Sequence, residues 1–154
     1  MNLPRQIIIP QKDAVFWLDT NGRWHNRSGV FKHKKIIDYF HASIQKDKNG
    51  YYLYQSYGNC MEKVYFNYED TALFVFDIIL ENDNIILMLN TRKKIKLQPR
   101  NLFIKGDNLY LRTDDNDRIK FAERALTQIS KYIDYEDDHY FLMVSEDRFL
   151  IGTE

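Results

Sequence analysis

Three groups of residues carry side chains that could do chemistry. Lys32, Lys34 and Lys35 fall where a helix should begin, and cations there oppose the positive end of the helix dipole by about 0.3–1 kcal/mol each. A phosphate-like anion would be stabilised at that place by lysines and free backbone N–H groups together. A helix start nearer Ser28 would instead leave the lysines as solvated surface. A second basic run, Arg92, Lys93, Lys94, Lys96 and Arg100, interleaves with Ile95 and Leu97 at period two. It reads as an edge strand with a charged outer face, the alternative being a phosphate or RNA contact. The third group is acidic: Glu62, Glu69 and Asp70 bracket the strand-like VYF, and Glu69-Asp70 either marks a turn or faces a cleft. Trp24, Tyr51, Tyr52 and Tyr54 offer faces for stacking on bases, although rings of this kind more often fill cores or half-buried sheets.

No P-loop, GxSxG elbow, HExxH, CxxC or GxGxxG occurs in the chain. That weakens the common enzyme classes but leaves open an acid–base site assembled from distant carboxylates. His33 and His41 are too far apart on one helix for the i, i+4 pair that commonly holds a metal. Asp38 and His41, at i, i+3, read as a surface hydrogen bond, and His25 and His139 lie near strand ends in different halves. Neither a metal site nor a cofactor is expected.

Those residues must be held by an ordered set of elements. VFWLD, a turn at Thr20-Asn21-Gly22-Arg23 and the aromatic Trp24 spell a hairpin, because Asn-Gly supplies the positive φ angles of a tight turn. KHKKIIDYFHASI then places Ile36, Ile37, Phe40 and Ile44 at helical spacing. After the DKNG break, YYLYQSY and EKVYF read as a second pair of strands. TALFVFDIIL and IILMLN, nearly continuous in apolar residues, predict central strands covered on both faces. The second half repeats the plan: LFIK, a turn at Gly106-Asp107-Asn108, and LYLRT. A helix opening on Asp114, Asp115 and Asp117 should follow, with the stripe Ile119, Ala122, Leu126, Ile129 and Ile133. DHYFLMV and RFLIG make the last hairpin. The predicted fold class is α+β: two small subdomains, residues 1–70 and 71–154, each a hairpin–helix–hairpin motif of mostly antiparallel strands.

Composition agrees with a folded, neutral chain. Its 154 residues are 44% hydrophobic and 15% aromatic, enough for a buried core. The 22 basic and 22 acidic residues cancel, and a pI near 6.9 argues against the broad positive field of non-specific nucleic-acid binding. The single Cys60 suits a reducing compartment and cannot form an intrachain disulfide. The start, MNLPRQIIIPQKD, lacks the apolar core of a secretory signal. The most apolar run is shorter than a bilayer span and contains Asp77. A cytoplasmic protein with no membrane segment is expected.

GRWHNRSG, KKIIDYFHASIQKDKNGYYLY and EKVYFNYEDTALFVFDI together resemble the bacterial domain-of-unknown-function 1285 family. Its pattern runs from a tryptophan after a Gly turn, through a helix and an Asp-x-x-Gly turn, to a tyrosine strand, a Glu-Lys strand and an acidic pair before an apolar strand. The matching positions are Gly22, Trp24, Gly50, Tyr51, Tyr52, Glu62, Lys63, Glu69 and Asp70, and Arg112 corresponds to a basic residue closing the family's later hairpin. Where the family commonly has a proline two places after the acidic pair, this chain reads Thr71, Ala72, Leu73. The resemblance implies a two-domain α+β fold with repeated motifs and an interdomain cleft for a nucleotide-like ligand, and it brings no established reaction. The leading expectation is therefore a binding or signalling protein for a small anionic ligand. Lys34, Lys35, Arg92 and Arg112 would contact the anion, Trp24 or Tyr52 would stack, and Glu62, Glu69 and Asp70 would make polar contacts. A hydrolase using the carboxylates is the rival, and an RNA-binding protein stands third.

Overall fold

The computed structural model describes residues 5–154, so the first four residues of the opening segment lie outside the described residues. The chain divides into two compact units, Met1–Ala72 and Leu73–Glu154. Strands dominate both, most of them antiparallel, with one α-helix in each among the described residues. No helix of the described residues is long and apolar enough to cross a membrane.

The N-terminal unit runs β1 (Arg5–Ile9), β2 (Phe16–Leu18), β3 (Trp24–Asn26), β4 (Gly29–Val30), α1 (Lys34–Ala42), β5 (Ile44–Asp47), β6 (Gly50–Tyr57), β7 (Cys60–Tyr65) and β8 (Asn67–Tyr68). One sheet has the order β4-β3-β2-β8 and the other β1-β7-β6-β5. The pleat sorts the side chains: Phe16, Leu18, Trp24, Tyr51, Leu53 and Val64 turn inward and are buried. Trp17 and His25, cross-strand partners, lie on the opposite face. The first hairpin closes as expected from the sequence, but only Gly22 is left-handed there, at φ 78°. Asp19 holds the rest of the turn, its Oδ1 accepting from the N–H groups of Asn21 (2.8 Å) and Arg23 (2.9 Å). Helix α1 begins at Lys34, not near Ser28, so the lysines do occupy its first turn and the residues just before it. It stops at Ala42, and Ile44 opens a strand that the helical spacing had concealed.

The C-terminal unit runs β9 (Leu73–Glu81), β10 (Asn84–Leu89), β11 (Lys94–Lys96), β12 (Leu102–Lys105), β13 (Asn108–Arg112), β14 (Arg118–Phe121), α2 (Glu123–Ser130), β15 (Ile133–Glu136), β16 (His139–Val144), β17 (Asp147–Leu150) and β18 (Gly152–Thr153). A seven-stranded sheet has the order β11-β10-β9-β14-β13-β12-β18, and β15-β16-β17 form a second. Their apolar faces meet α2 in one core that includes Val75, Leu87, Leu111, Phe121, Ile129 and Leu142. β9 and β10 are interior strands as predicted, although β10 alternates buried with half-buried residues, so its second face is only partly covered.

The second helix corrects the sequence reading. It starts at Glu123, while Asp114, Asp115 and Asp117 lie at the turn between β13 and β14, where the Thr113 Oγ1 accepts from the Asp117 N–H (3.0 Å). The apolar stripe misled because Ile119 of β14, Leu126 and Ile129 of α2, and Ile133 of β15 all belong to or pack against one core, so three elements together imitate a single helical face. Gln128 fastens α2 to β9: its Nε2 donates to Asp77 Oδ1 (2.8 Å) and its Oε1 accepts from the Ile78 N–H (3.1 Å). That bond to Gln128, with burial opposing it and the Ile78 N–H and Arg124 assisting, holds the Asp77 carboxyl below its ordinary range.

Three turns share one backbone pattern, with an N–H at the first position donating to the carbonyl four residues on: Asp19 to Arg23, Leu89 to Lys93, and Thr113 to Asp117. Their left-handed positions are Gly22, Arg92 (φ 71°) and Asn116 (φ 61°). An exposed arginine is the least suited of the three to that conformation, since its Cβ crowds the carbonyl that glycine leaves clear. Arg92→Gly is expected to raise stability by about 0.5–1 kcal/mol after the extra entropy of an unfolded glycine is counted. Urea unfolding with a higher midpoint and an unchanged slope would agree; a lower midpoint would show that the Arg92 side chain stabilises more than its backbone costs.

Candidate functional site

A recess in the N-terminal unit follows directly from how β3, β4 and α1 are joined. Asn26 ends β3 and its Oδ1 accepts from the Ser28 N–H (2.9 Å), a local turn that lets Gly29-Val30 pair back on His25 and Asn26. The Phe31 N–H donates to the Trp24 carbonyl (2.8 Å), and the chain then passes through Lys32 and His33 into α1. The space enclosed is about 370 Å³ and is lined by Asn26, Ser28, Val30, Phe31, Lys32, His33, Ile36 and Phe40. That volume lies within the range of small-ligand sites. Val30, Phe31, Ile36 and Phe40 give it apolar surface, and Lys32 and His33 line it beside the first turn of α1. No side chain caps that turn and no acid lies in it, so the leading N–H groups and the lysines leave a positive end without a complement. Lys34 is turned toward Asp38 on the helix surface (2.6 Å).

Behind the recess sits a cluster of rings. Phe40 packs edge-on against Phe16 (5.0 Å), Trp24 (5.4 Å) and Phe31 (5.0 Å), and Trp24 meets Phe66 (5.0 Å). The Trp24 indole N–H donates to Nδ1 of His41 (3.2 Å), and the two residues are only 1% and 3% exposed. An indole can only donate, so Nδ1 is the bare nitrogen and the proton of the neutral ring sits on Nε2. Burial lowers the His41 pKa to about 4 against a smaller opposing pull from Asp38. His41 is thus a buried core residue and not the surface group that the i, i+3 spacing suggested. Trp24 is likewise a core ring, with no free face for a ligand to stack on.

Tyr52 already has a cation on its ring: Lys63 Nζ lies 4.3 Å from the centroid. Lys63 also pairs with Asp47, whose Oδ2 accepts from the Tyr65 hydroxyl (2.7 Å). The Lys63 ammonium, with Tyr65 assisting, draws the Asp47 carboxyl down to about 2, and Asp47 in turn raises the Lys63 pKa. Glu62 lies on β7, opposite Gln55. Glu69 braces the first hairpin, its Oε2 accepting from the Thr20 N–H (3.2 Å) and its own N–H donating to the Leu18 carbonyl (2.9 Å); Asp70 follows it in the bend after β8.

The two arginines of the expected site belong to the C-terminal unit. Arg92 is in the turn between β10 and β11. Arg112 ends β13, where its guanidinium covers the Phe103 ring (4.5 Å) and donates to Glu154 (2.8 Å). Of the expected set, Lys34 and Lys35 stand beside the recess, and sequence reasoning left out its actual lining residues Asn26, Val30, Phe31 and Ile36. A second polar group also went unread. Asp19 Oδ2 meets His25 Nε2 (2.7 Å), and the His25 ring stacks on Trp17 (5.5 Å between centroids, 9° between planes). Burial pushes the Asp19 carboxyl up, but its bonds from Arg23, His25 and Asn21 outweigh that and hold it below its ordinary range.

No family model matches the chain, and no curated protein matches it. Two solved structures share its fold. A DUF1285 family protein from Silicibacter pomeroyi DSS-3 superposes with a TM-score of 0.63 at 11% identity, over 97% of this chain and 84% of that one. A DUF1285 family protein from Shewanella baltica OS155 gives a TM-score of 0.52 at 13% identity, over 76% of this chain and 91% of that one.

The buried His41 makes stability depend on pH in a defined window. Its folded pKa lies below the ordinary 6.5, so the unfolded chain takes up the proton first. The contribution is complete above about pH 6.5, declines as pH falls, and is lost once pH drops through about 4; it amounts to about 3 kcal/mol. Urea unfolding of the wild type and of His41→Gln at both ends of the window checks this. The wild type should lose most of that amount on acidification and the variant little; parallel losses would contradict the assignment.

Proposed function

From the fold shared with the domain-of-unknown-function 1285 family, we propose that this chain is a cytoplasmic binding protein for a small anionic, nucleotide-like ligand, serving a signalling role. The observation that carries the reading is the recess at 26–40: an open space of about 370 Å³ in which Val30, Phe31, Ile36 and Phe40 meet Lys32, His33 and an uncapped helix start. A planar or aliphatic body would occupy the walls formed by Val30, Phe31, Ile36 and Phe40. An anionic group would meet Lys32, Lys35 and the N–H groups of the first turn. The assignment moves the ligand's principal contacts away from Trp24, which is buried, and Tyr52, whose ring already carries Lys63, and onto residues that surround open space.

The same inference extends to the architecture. The order β4-β3-β2-β8 in one unit and β14-β13-β12-β18 in the other, in each case three strands followed in sequence by a helix, a three-stranded meander and then the fourth strand, supports a repeated hairpin–helix–hairpin motif. Pairing sense matches too, since β8 on β2 and β18 on β12 are both parallel.

A thermal-shift screen with inorganic phosphate, mononucleotides and phosphorylated sugars tests the binding reading. A ligand at 100 times its Kd should stabilise the protein by about 2.7 kcal/mol. Lys32→Glu and Ile36→Asp, both at exposed positions, should abolish that response while leaving the unliganded melting temperature nearly unchanged. If no anion shifts the melting temperature, or if both variants respond as the wild type does, the recess is not the binding site.

A further inference from the structure

Charge is balanced in this chain but not mixed. Arg92, Lys93, Lys94 and Lys96 put four bases into residues 92–96, and Asp134, Glu136, Asp137 and Asp138 put four acids into residues 134–138. The fold places both segments on sheet edges of the C-terminal unit: β11 is the last strand of the seven-stranded sheet and β15 the last of the three-stranded one. Each edge presents exposed charges that flank a less polar residue, Lys94-Ile95-Lys96 on β11 and Asp134-Tyr135-Glu136 on β15. Tyr135 is 58% exposed although the pleat turns it to the core side of its sheet.

Charged edges are a common guard against strand-to-strand association. Here the guard works only between like edges, because β11 repels a second β11 and β15 a second β15. Nothing in it opposes β11 meeting β15. In an antiparallel register Lys94 stands opposite Glu136, Ile95 opposite Tyr135 and Lys96 opposite Asp134, so both charge pairs are attractive and the middle pair is apolar. We propose that β11 of one molecule pairs with β15 of a second copy, the two edges forming a head-to-tail interface.

The β15 side is held in shape before the partner arrives. Tyr135 packs on Tyr140 (4.7 Å between centroids) and its hydroxyl donates to Asp138 (2.9 Å). Glu136 accepts from Arg148 (2.6 Å), so Lys94 of the second copy would share that carboxylate with Arg148. The contact is heterologous and leaves each molecule with one unused edge. It therefore builds chains whose length grows with concentration unless the rotation closes a ring. Exposed charge pairs are screened by salt, so association should weaken as ionic strength rises.

Analytical ultracentrifugation of the full chain at low and high salt tests this. The expected result is a weight-average mass that rises with concentration at low salt and falls back toward the monomer at high salt. Lys94→Glu/Lys96→Glu and Asp134→Lys/Glu136→Lys should each abolish the rise, because all facing edges then carry one sign. An equimolar mixture of the two variants should restore it, each reversed edge meeting its opposite in the other protein. The milder Lys94→Gln/Lys96→Gln and Asp134→Asn/Glu136→Gln pairs replace any variant that circular dichroism shows to be unfolded, and these should weaken the rise. A wild type that stays monomeric at low salt overturns the proposal and leaves the charges as edge guards only. So do variants that associate like the wild type, or reversed variants that fail to associate when mixed.

Discussion

The hydrogen bond from the Trp24 indole to Nδ1 of His41 is the constraint on which the N-terminal unit is built. It joins the first residue of β3 to the last turn of α1, across a cluster of buried rings. A buried indole N–H left without an acceptor costs about 1–3 kcal/mol, and so does a bare imidazole nitrogen without a donor. Each residue thus requires the other, and together they leave α1 little choice of rotation about its axis. With His41 turned inward, Phe40 stands between the ring cluster and the recess. Ile36, one turn earlier, is left on the recess wall, and Lys32 and His33 come to its mouth. The chemistry of the candidate site is in that sense a by-product of how the core is closed.

The C-terminal unit fastens its helix by a different device. Gln128 reaches the carboxylate of Asp77 and the next backbone N–H on an interior strand, while Ala125 and Ile129 of the same helix are fully buried. Asp77 lies within the most apolar strand of the chain, and the bonds from Gln128 and Ile78 hold its carboxyl below its ordinary range, with Arg124 assisting from 3.9 Å. Two units with matching strand order therefore hold their helices by unlike polar contacts, one between a buried indole and imidazole and one between a half-exposed amide and carboxylate.

Most hairpins were legible because two short-range signals coincided in them. Turn residues such as Asn21-Gly22 and Gly106-Asp107 interrupted runs with a period of two, and β2–β3, β6–β7, β12–β13 and β16–β17 stand where those signals put them. β5 and β15 were hidden because each follows a helix with no Gly, Pro, Asn or Asp between, and Ile44 and Ile133 continue the helical spacing into the strand. The start of α2 was misplaced for the same reason from the other side: β14 carries Ile119 at a position that fits the helical stripe. The inward direction of His41 was readable, since Ile37, His41 and Ile44 share a helical face, yet its partner Trp24 lies on another element and no local spacing links them. Lys32, Lys34 and Lys35 lie at the start of α1, beside the candidate recess. The recess itself was not legible, because Asn26 and Val30 reach it only through the reversal of the chain at Ser28.

The most direct test of this account is the protonation of the His41 ring, read by long-range ¹⁵N–¹H correlation at neutral pH. The account requires a neutral ring with the proton on Nε2 and an unprotonated Nδ1 that accepts a hydrogen bond, with the Nδ1 signal shifting in Trp24→Phe. A ring protonated on Nδ1, or one that titrates near pH 6.5 like an exposed histidine, would contradict it and remove the link that places α1 over the recess.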